Sequence, residues 1–210
     1  RIIDTYPMPH EPGRHYSYAN APSDAIAMVI EGATGMRYGD WVTREVLKPL
    51  GAQGGTLWVS KPGGLAHAGC CATMPADTYL RFAVLLLQDG MWQGKRLLPE
   101  GYVAEMRKGT EQNPNFGLGI WLGEPYRQRR PFGAPGMLGP QVLHSEPFLD
   151  PALFMFDGNS NQQVAISPKY RLIVLRVGAT PPAPKDGRPE WDNAFLPNTL
   201  IRGLSSRGGD

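Results

Sequence analysis

Cysteine is almost absent from this sequence: Cys70 and Cys71, side by side, are the only two in 210 residues. Adjacent cysteines bridge only with strain, so the pair implies no structural disulfide and reads as two small apolar side chains. Long apolar runs are missing as well. Nothing approaches the roughly 18 residues of a membrane-spanning helix, and the stretch from Arg1 has neither an initiator Met nor a signal-peptide pattern. Charge is sparse, at 19% of residues, and nearly balanced, at a formal +2. A nucleic-acid surface would need a clustered basic face. The one basic knot, Arg127, Arg129 and Arg130, sits in a Pro- and Gly-rich stretch and reads as a solvated loop. Two catalytic signatures are also lacking. Pro12 and Gly13 separate His10 and Glu11 from His15, so the helical His-Glu-x-x-His spacing is absent and no metal site is expected there. No Gly-x-Ser-x-Gly elbow is present either.

What remains is a chain that is 41% apolar, long enough for one domain with a sizeable core, and heavily punctuated by 26 Gly and 21 Pro. Ile26, Val29, Ile30 and Ala33 recur at helical spacing. They predict a helix from about Pro22 to Thr34 with one apolar face, opened by Pro22 and stopped by Gly35. A second helix is expected from about Tyr38 to Lys48, ending at Pro49. Gly54-Gly55 and Lys61-Pro62-Gly63-Gly64 bracket an irregular stretch around Leu57-Trp58-Val59. Thr73 reads as the cap of a third helix, with Pro75 and Asp77 in its first turn. From Leu80 to Leu87 that helix is apolar nearly all round, so it should be buried, and Gly90 ends it. Leu98 to Met106 reads as a short helix opened by Pro99.

The second half has sheet character. Phe116 to Leu122 reads as a strand, and Glu124 to Pro151 as one long loop of the kind that serves as a lid. Leu153–Phe156, Gln163–Ile166 and Leu172–Val177 are expected strands. A turn at residues 158–162 and a hairpin through Ser167-Pro168-Lys169 connect them. Thr180 to Pro184 is a Pro-rich linker, and Asn193 to Leu204 a closing helix. The organisation is therefore one unit, 1–210, mostly helical over 12–110 and sheet-forming over 116–210.

Tyr18-Ala19-Asn20 stands just before the first helix, framed by Pro12-Gly13 ahead and by Gly-Ala-Thr-Gly and Lys48-Pro49-Leu50-Gly51 behind. Further on come Gly69 to Asp77, Arg81-Phe82, Asp89-Gly90, Gly90-Met91-Trp92-Gln93-Gly94, Val174-Leu175-Arg176-Val177-Gly178 and Trp191-Asp192. Together these resemble the β-lactamase-related serine hydrolases: class C β-lactamases, penicillin-binding proteins, family VIII esterases and 6-aminohexanoate-dimer hydrolases. The resemblance implies an α+β, serine β-lactamase/transpeptidase-like fold, an antiparallel sheet flanked by helices with a helical subdomain. It identifies Tyr18-Ala19-Asn20 with the family's Tyr-x-Asn motif, and Phe156-Asp157-Gly158 with its third motif, where a cation usually stands first.

The family's Ser-x-x-Lys is missing, for no serine here has a lysine three residues later. The sequence therefore resembles the C-terminal part of such a hydrolase, and the chain by itself is expected to be inactive. Acyl transfer needs a base within reach of the serine hydroxyl, and in the family a lysine and the motif tyrosine share that work. The resemblance makes Tyr18 the general acid/base and Asn20, Phe156, Asp157 and Gly158 substrate-binding. The Asn159 N–H then becomes one donor of the oxyanion hole. Asn20 also reads as a plain helix cap, and 157–159 as an ordinary turn. The implied mechanism needs no metal or organic cofactor, and the implied partner is a small ester or amide, with no nucleic acid and no membrane span; compartment and oligomeric state stay open. The alternative function is a non-catalytic binding or regulatory protein on the same fold.

Overall fold

The computed structural model describes residue 7 and residues 9–136, 138–179, 181 and 190–206. The expected linker at 180–184 lies outside these apart from Pro181.

Helix α1 is Ala21–Thr34, with Asn20 at its N-cap, a proline in its first turn and Gly35 in the left-handed conformation at its end. Gly35 returns its N–H to the Glu31 carbonyl at 2.9 Å. Helix α2, Tyr38–Val42, follows at once, and the Glu31 carboxylate accepts from the Tyr38 N–H at 2.9 Å and from Arg37 at 2.8 Å, stitching the two together. A π-helical turn, Thr43–Leu47, carries α2 into α3, Lys48–Leu50, so the helix outruns Pro49 by one residue. The expected apolar face of α1 is not buried: Ile26 is 59% and Val29 68% exposed, and Ala27 is the residue that packs. Periodicity marks a face as apolar without saying what covers it.

Strands β1, Thr56–Leu57, and β2, Ala72–Thr73, pair antiparallel. Thr73 is thus a strand residue and not a helix cap. Helix α4, Ala76–Leu87, starts after Pro75, and its Arg81 pairs with Asp77 at 2.5 Å one turn back and donates to the Leu50 carbonyl at 3.2 Å. Every side chain from Leu80 to Leu87 is buried or half-buried, as its all-round apolar sequence requires. A small hairpin follows, β3 Met91–Trp92 against β4 Lys95–Arg96, which sequence reading left unassigned. The helix expected over Leu98–Met106 is only α5, Tyr102–Met106, because Gly101 sits in the left-handed region at φ +76° and breaks the turn before it.

The strand expected over Phe116–Leu122 is also shorter. Phe116 bridges back to Trp121 across a tight turn containing Gly119, at φ +75°, and only β5, Trp121–Leu122, joins the main sheet. Nor is Glu124–Pro151 one open loop: β6, Arg129–Pro131, and β7, Gln141–Leu143, form an antiparallel pair within it.

The main sheet has four antiparallel strands in the order β10-β9-β8-β5, where β8 is Phe154–Asp157, β9 Gln163–Ser167 and β10 Leu172–Arg176. A single 3₁₀ turn, Asn159–Asn161, joins β8 to β9. The β9–β10 hairpin is held by the Asp150 carboxylate, which accepts from Ser167 Oγ at 2.6 Å and the Lys169 N–H at 2.9 Å. Side chains alternate between two cores. Phe154, Val164 and Ile166 face α4 with Ala83 and Leu86. Met155, Ala165 and Val174 face the other way, toward Trp121, Phe148 and Ala194. The closing helix α6, Phe195–Ser205, covers that second face, and its buried Asn198 accepts from the Leu149 N–H at 2.9 Å while donating to the Pro147 carbonyl at 2.9 Å.

The cysteines depart from expectation. Cys70 and Cys71 are joined by a disulfide, with Cys71 at φ +70°.

His144, just after β7, is 2% exposed, and burial, helped by the Arg130 charge, pushes its pKa down to about 4. The unfolded chain therefore binds one more proton than the folded one between pH 6.5 and about 4. Stability from this group is fully present above pH 6.5 and is lost as the pH falls toward 4, roughly 3 kcal/mol at most. Denaturant unfolding of the parent and of His144→Phe across that range checks it. The parent should lose more stability on acidification than the variant; parallel curves would refute a neutral buried imidazole.

Candidate active site

The two tyrosines of Tyr16-Ser17-Tyr18 lie in opposite environments. Tyr16 is half-buried and its hydroxyl closes no hydrogen bond, although the Asn113 amide and the Arg130 guanidinium lie near it. Burial pushes this phenol up to about 12. Tyr18 is 45% exposed. Its ring stands in an aromatic cluster, 5.8 Å from Phe116, 5.7 Å from Trp121 and 5.9 Å from Phe132. Three ring neighbours hold this side chain while nearly half of its surface stays exposed.

Asn20 occupies the N-cap position of α1, but its side chain makes no capping hydrogen bond. Its backbone is pressed against the loop before β2: a Cβ on Gly69 would lie 2.5 Å from the Asn20 carbonyl oxygen, so only glycine fits there. The same loop is tied to α1 by the Asp24 carboxylate, which accepts from the Gly69 N–H at 3.0 Å and meets His67 Nδ1 at 3.2 Å. Those contacts, the Gly69 N–H foremost, hold the Asp24 carboxyl below its ordinary value.

Strand alternation splits the third-motif residues. Phe156 points to the α4 side, its ring 5.9 Å from Phe82, into an apolar cavity of about 800 Å³ bounded also by Trp41, Tyr79 and Leu175. Asp157 points to the opposite side. It is 6% exposed and meets Arg130, itself 1% exposed. Asn193 Nδ2 donates to the same carboxylate oxygen at 2.9 Å, and Trp191 Nε1 donates to Asn193 Oδ1 at 2.7 Å. Burial pushes the Asp157 carboxyl up and the Arg130 guanidinium down, each against the pull of its partner. Gly158 borders both the apolar cavity and a second one of about 290 Å³, which Asn159, Phe132, Glu190 and Trp191 help to line. The Asn159 N–H opens the 3₁₀ turn and donates to no described residue.

The arginine knot is therefore not a solvated loop. Arg130 carries its charge into the core on β6 and stacks over Trp121 at 3.8 Å, one of the rings beside Tyr18. Arg129 makes a two-pronged pair with Glu190 at 2.8 and 2.7 Å, and Arg127 Nε donates to Asn115 at 3.0 Å. Phe132 links the two parts of the site, since it touches Tyr18 and lines the cavity of Asn159. The Arg130–Asp157–Asn193 network was invisible in the sequence. Only Asp157 carried a signal, through its place in the third motif. Among the described residues no group of acidic, His or Cys side chains is arranged to hold a metal, and no helix is long and apolar enough to cross a membrane.

An antiparallel sheet with helices on both faces and a helical unit beside it is the β-lactamase/transpeptidase-like architecture. The chain belongs to the β-lactamase family, whose model matches residues 1–198. Its fold is similar to that of a Bacillus anthracis protein assigned as a 6-aminohexanoate-dimer hydrolase, with TM-score 0.62 and 16% identity over 94% of this chain and 45% of that one. A β-lactamase of Mycobacterium bovis matches with TM-score 0.58 and 20% identity, over 94% of this chain and 66% of that one. A Bacteroides dorei protein assigned as a β-lactamase gives TM-score 0.66 and 16% identity, over 97% of this chain and 61% of that one. The chain thus spans from under half to about two thirds of the length of these structures. No curated protein sequence matches it.

Proposed function

We propose that this chain supplies the tyrosine and third-motif half of a serine hydrolase that cleaves an ester or amide through an acyl-enzyme. On this reading the nucleophile and its lysine come from outside the 210 residues, in which no serine has a lysine three residues later. Tyr18 is the general acid/base, Asn20 positions substrate, and the Asn159 N–H is one donor to the developing oxyanion. The observation that supports this most is the contrast between the two tyrosines: Tyr16 is half-buried with its phenol pushed up to about 12, whereas Tyr18 is held by three rings and open to solvent.

The chain alone should not turn over p-nitrophenyl butyrate, and a serine-directed phosphonate should leave no adduct on it. Turnover together with a covalent serine adduct on these 210 residues would overturn the assignment.

The charge around the third motif selects the substrate. Phe156 offers no charge-assisted hydrogen bond, Arg130 is matched by Asp157, and Arg129 by Glu190. Arg176 has no carboxylate partner among the described residues, but its N–H groups go to the carbonyls of Ser160, Asn161 and Ala179. Among the described residues a substrate carboxylate finds no free cation here, and a missing charge-assisted bond costs about 1.5–3 kcal/mol, or one to two powers of ten in affinity. In the longer protein, kcat/KM for a short-chain p-nitrophenyl ester should exceed that for nitrocefin. A clear preference for nitrocefin would refute this reading of Phe156.

A further inference from the structure

We infer that the Cys70–Cys71 pair is a redox site whose state sets the placement of Asn20 and the first turn of α1. Both cysteines are exposed, and no other cysteine exists in the 210 residues, so within this chain each can pair only with the other. Exposed disulfides are the labile ones. A soluble dithiol reductant would attack one sulfur and form a mixed disulfide, which its second thiol resolves. The reductant leaves as its own disulfide, and Cys70 and Cys71 receive two electrons and two protons.

The disulfide is coupled to the site by what lies on either side of it. Cys71 stands at φ +70°, a region that costs an L residue other than glycine free energy and that few of them adopt. Opening the bridge removes the tie and lets Cys71 return to negative φ. Downstream the chain cannot absorb that rotation, because Thr73 is paired with Thr56, the Ala72 carbonyl accepts from Tyr79 Oη at 3.1 Å, and the Thr73 carbonyl abuts Gly55. Upstream lies Gly69, wedged against Asn20 and bonded to Asp24 at 3.0 Å. The motion is therefore delivered to the start of α1, where the first helical hydrogen bond, from the Asp24 N–H to the Asn20 carbonyl, spans 3.1 Å. Oxidised, the loop buttresses the Asn20 backbone; reduced, it lets go.

The test is amide hydrogen exchange on this chain, oxidised with glutathione disulfide and then reduced with dithiothreitol, with alkylation and mass measurement reporting the state of the pair. Reduction should speed exchange at the Gly69 and Asp24 amides by about tenfold, as expected for local opening, and re-oxidation should reverse it. In Cys70→Ser/Cys71→Ser these amides should exchange fast under both conditions. In Cys70→Ser/Cys71→Gly, where glycine accepts the positive φ unaided, they should stay slower than in the double serine variant. Equal exchange in the oxidised and reduced parent, or a pair that stays as thiols under glutathione disulfide, would overturn the switch. The consequence for substrate rests on the proposed role of Asn20 and is measured separately. If the exchange difference is found but KM for the ester in the longer protein does not change on reduction, the switch stands and Asn20 is removed from the substrate site.

Discussion

Arg130→Met should cost this chain about 3–5 kcal/mol of stability, because it strands the Asp157 carboxylate inside the protein. Asp157 is 6% exposed, and its remaining partner, Asn193 Nδ2 at 2.9 Å, donates a hydrogen bond without supplying a charge. The lost stacking of Arg130 over Trp121, at 3.8 Å, adds to the deficit. The pair itself is a weak source of net stability: burial disfavours the charged form of both partners, and Arg130 Nε and Nη1 close no hydrogen bonds. Removing both charges should therefore recover most of the loss, as when a buried ion pair is replaced by apolar groups of similar volume. Urea unfolding of the parent, Arg130→Met and Arg130→Met/Asp157→Leu measures this directly. A single variant within about 1 kcal/mol of the parent would mean that water or another group reaches Asp157, and the buried-pair description would fail.

That pair also shows where sequence reading stops. The sheet was legible because β8, β9 and β10 are short runs of apolar residues bounded by turn formers, and buried strands have that signature. Helix α4 was legible because Leu80–Leu87 has no polar face to show water. The β6–β7 ladder was not, because Arg129-Arg130-Pro131 has neither alternation nor strand formers. Its strand character comes from pairing with Gln141–Leu143 and from Asp157, 27 residues further on, which receives Arg130. A charge is read as surface until its partner is known. The cysteine pair failed for a different reason. Adjacency does disfavour a bridge, and the local sequence could not show that Gly69, Asn20 and the β1–β2 pairing hold the loop in a shape that accepts one. Tyr18-Ala19-Asn20 was legible as a motif, but its setting among Phe116, Trp121 and Phe132 depends on residues about a hundred positions away.

In a protein that joins this chain to a nucleophile, the role proposed for Tyr18 means that Tyr18→Phe should lower the acylation rate by roughly 10²–10⁴-fold, the usual weight of a positioned acid/base group. The change deletes one oxygen and keeps the ring. The contacts to Phe116, Trp121 and Phe132, at 5.7–5.9 Å between ring centres, survive, so the aromatic cluster is preserved. Because Tyr18 is 45% exposed, losing its hydroxyl is not expected to leave a buried group unpaired. Stability should consequently change by no more than about 0.5 kcal/mol, the range of ordinary surface substitutions. That separates the two roles cleanly: a catalytic hydroxyl takes rate and leaves stability, whereas a packing tyrosine takes neither when only its oxygen is removed. Tyr16→Phe is the internal control. Its phenol is held protonated by burial and makes no hydrogen bond, so removing that oxygen should leave the rate within about threefold of the parent, the scale of an uninvolved group. Single-turnover acylation by a p-nitrophenyl ester distinguishes the variants, since the burst reports the step proposed for Tyr18. Near-parental acylation by Tyr18→Phe, or an equal loss in both variants, would leave Tyr18 as part of the aromatic cluster and nothing more.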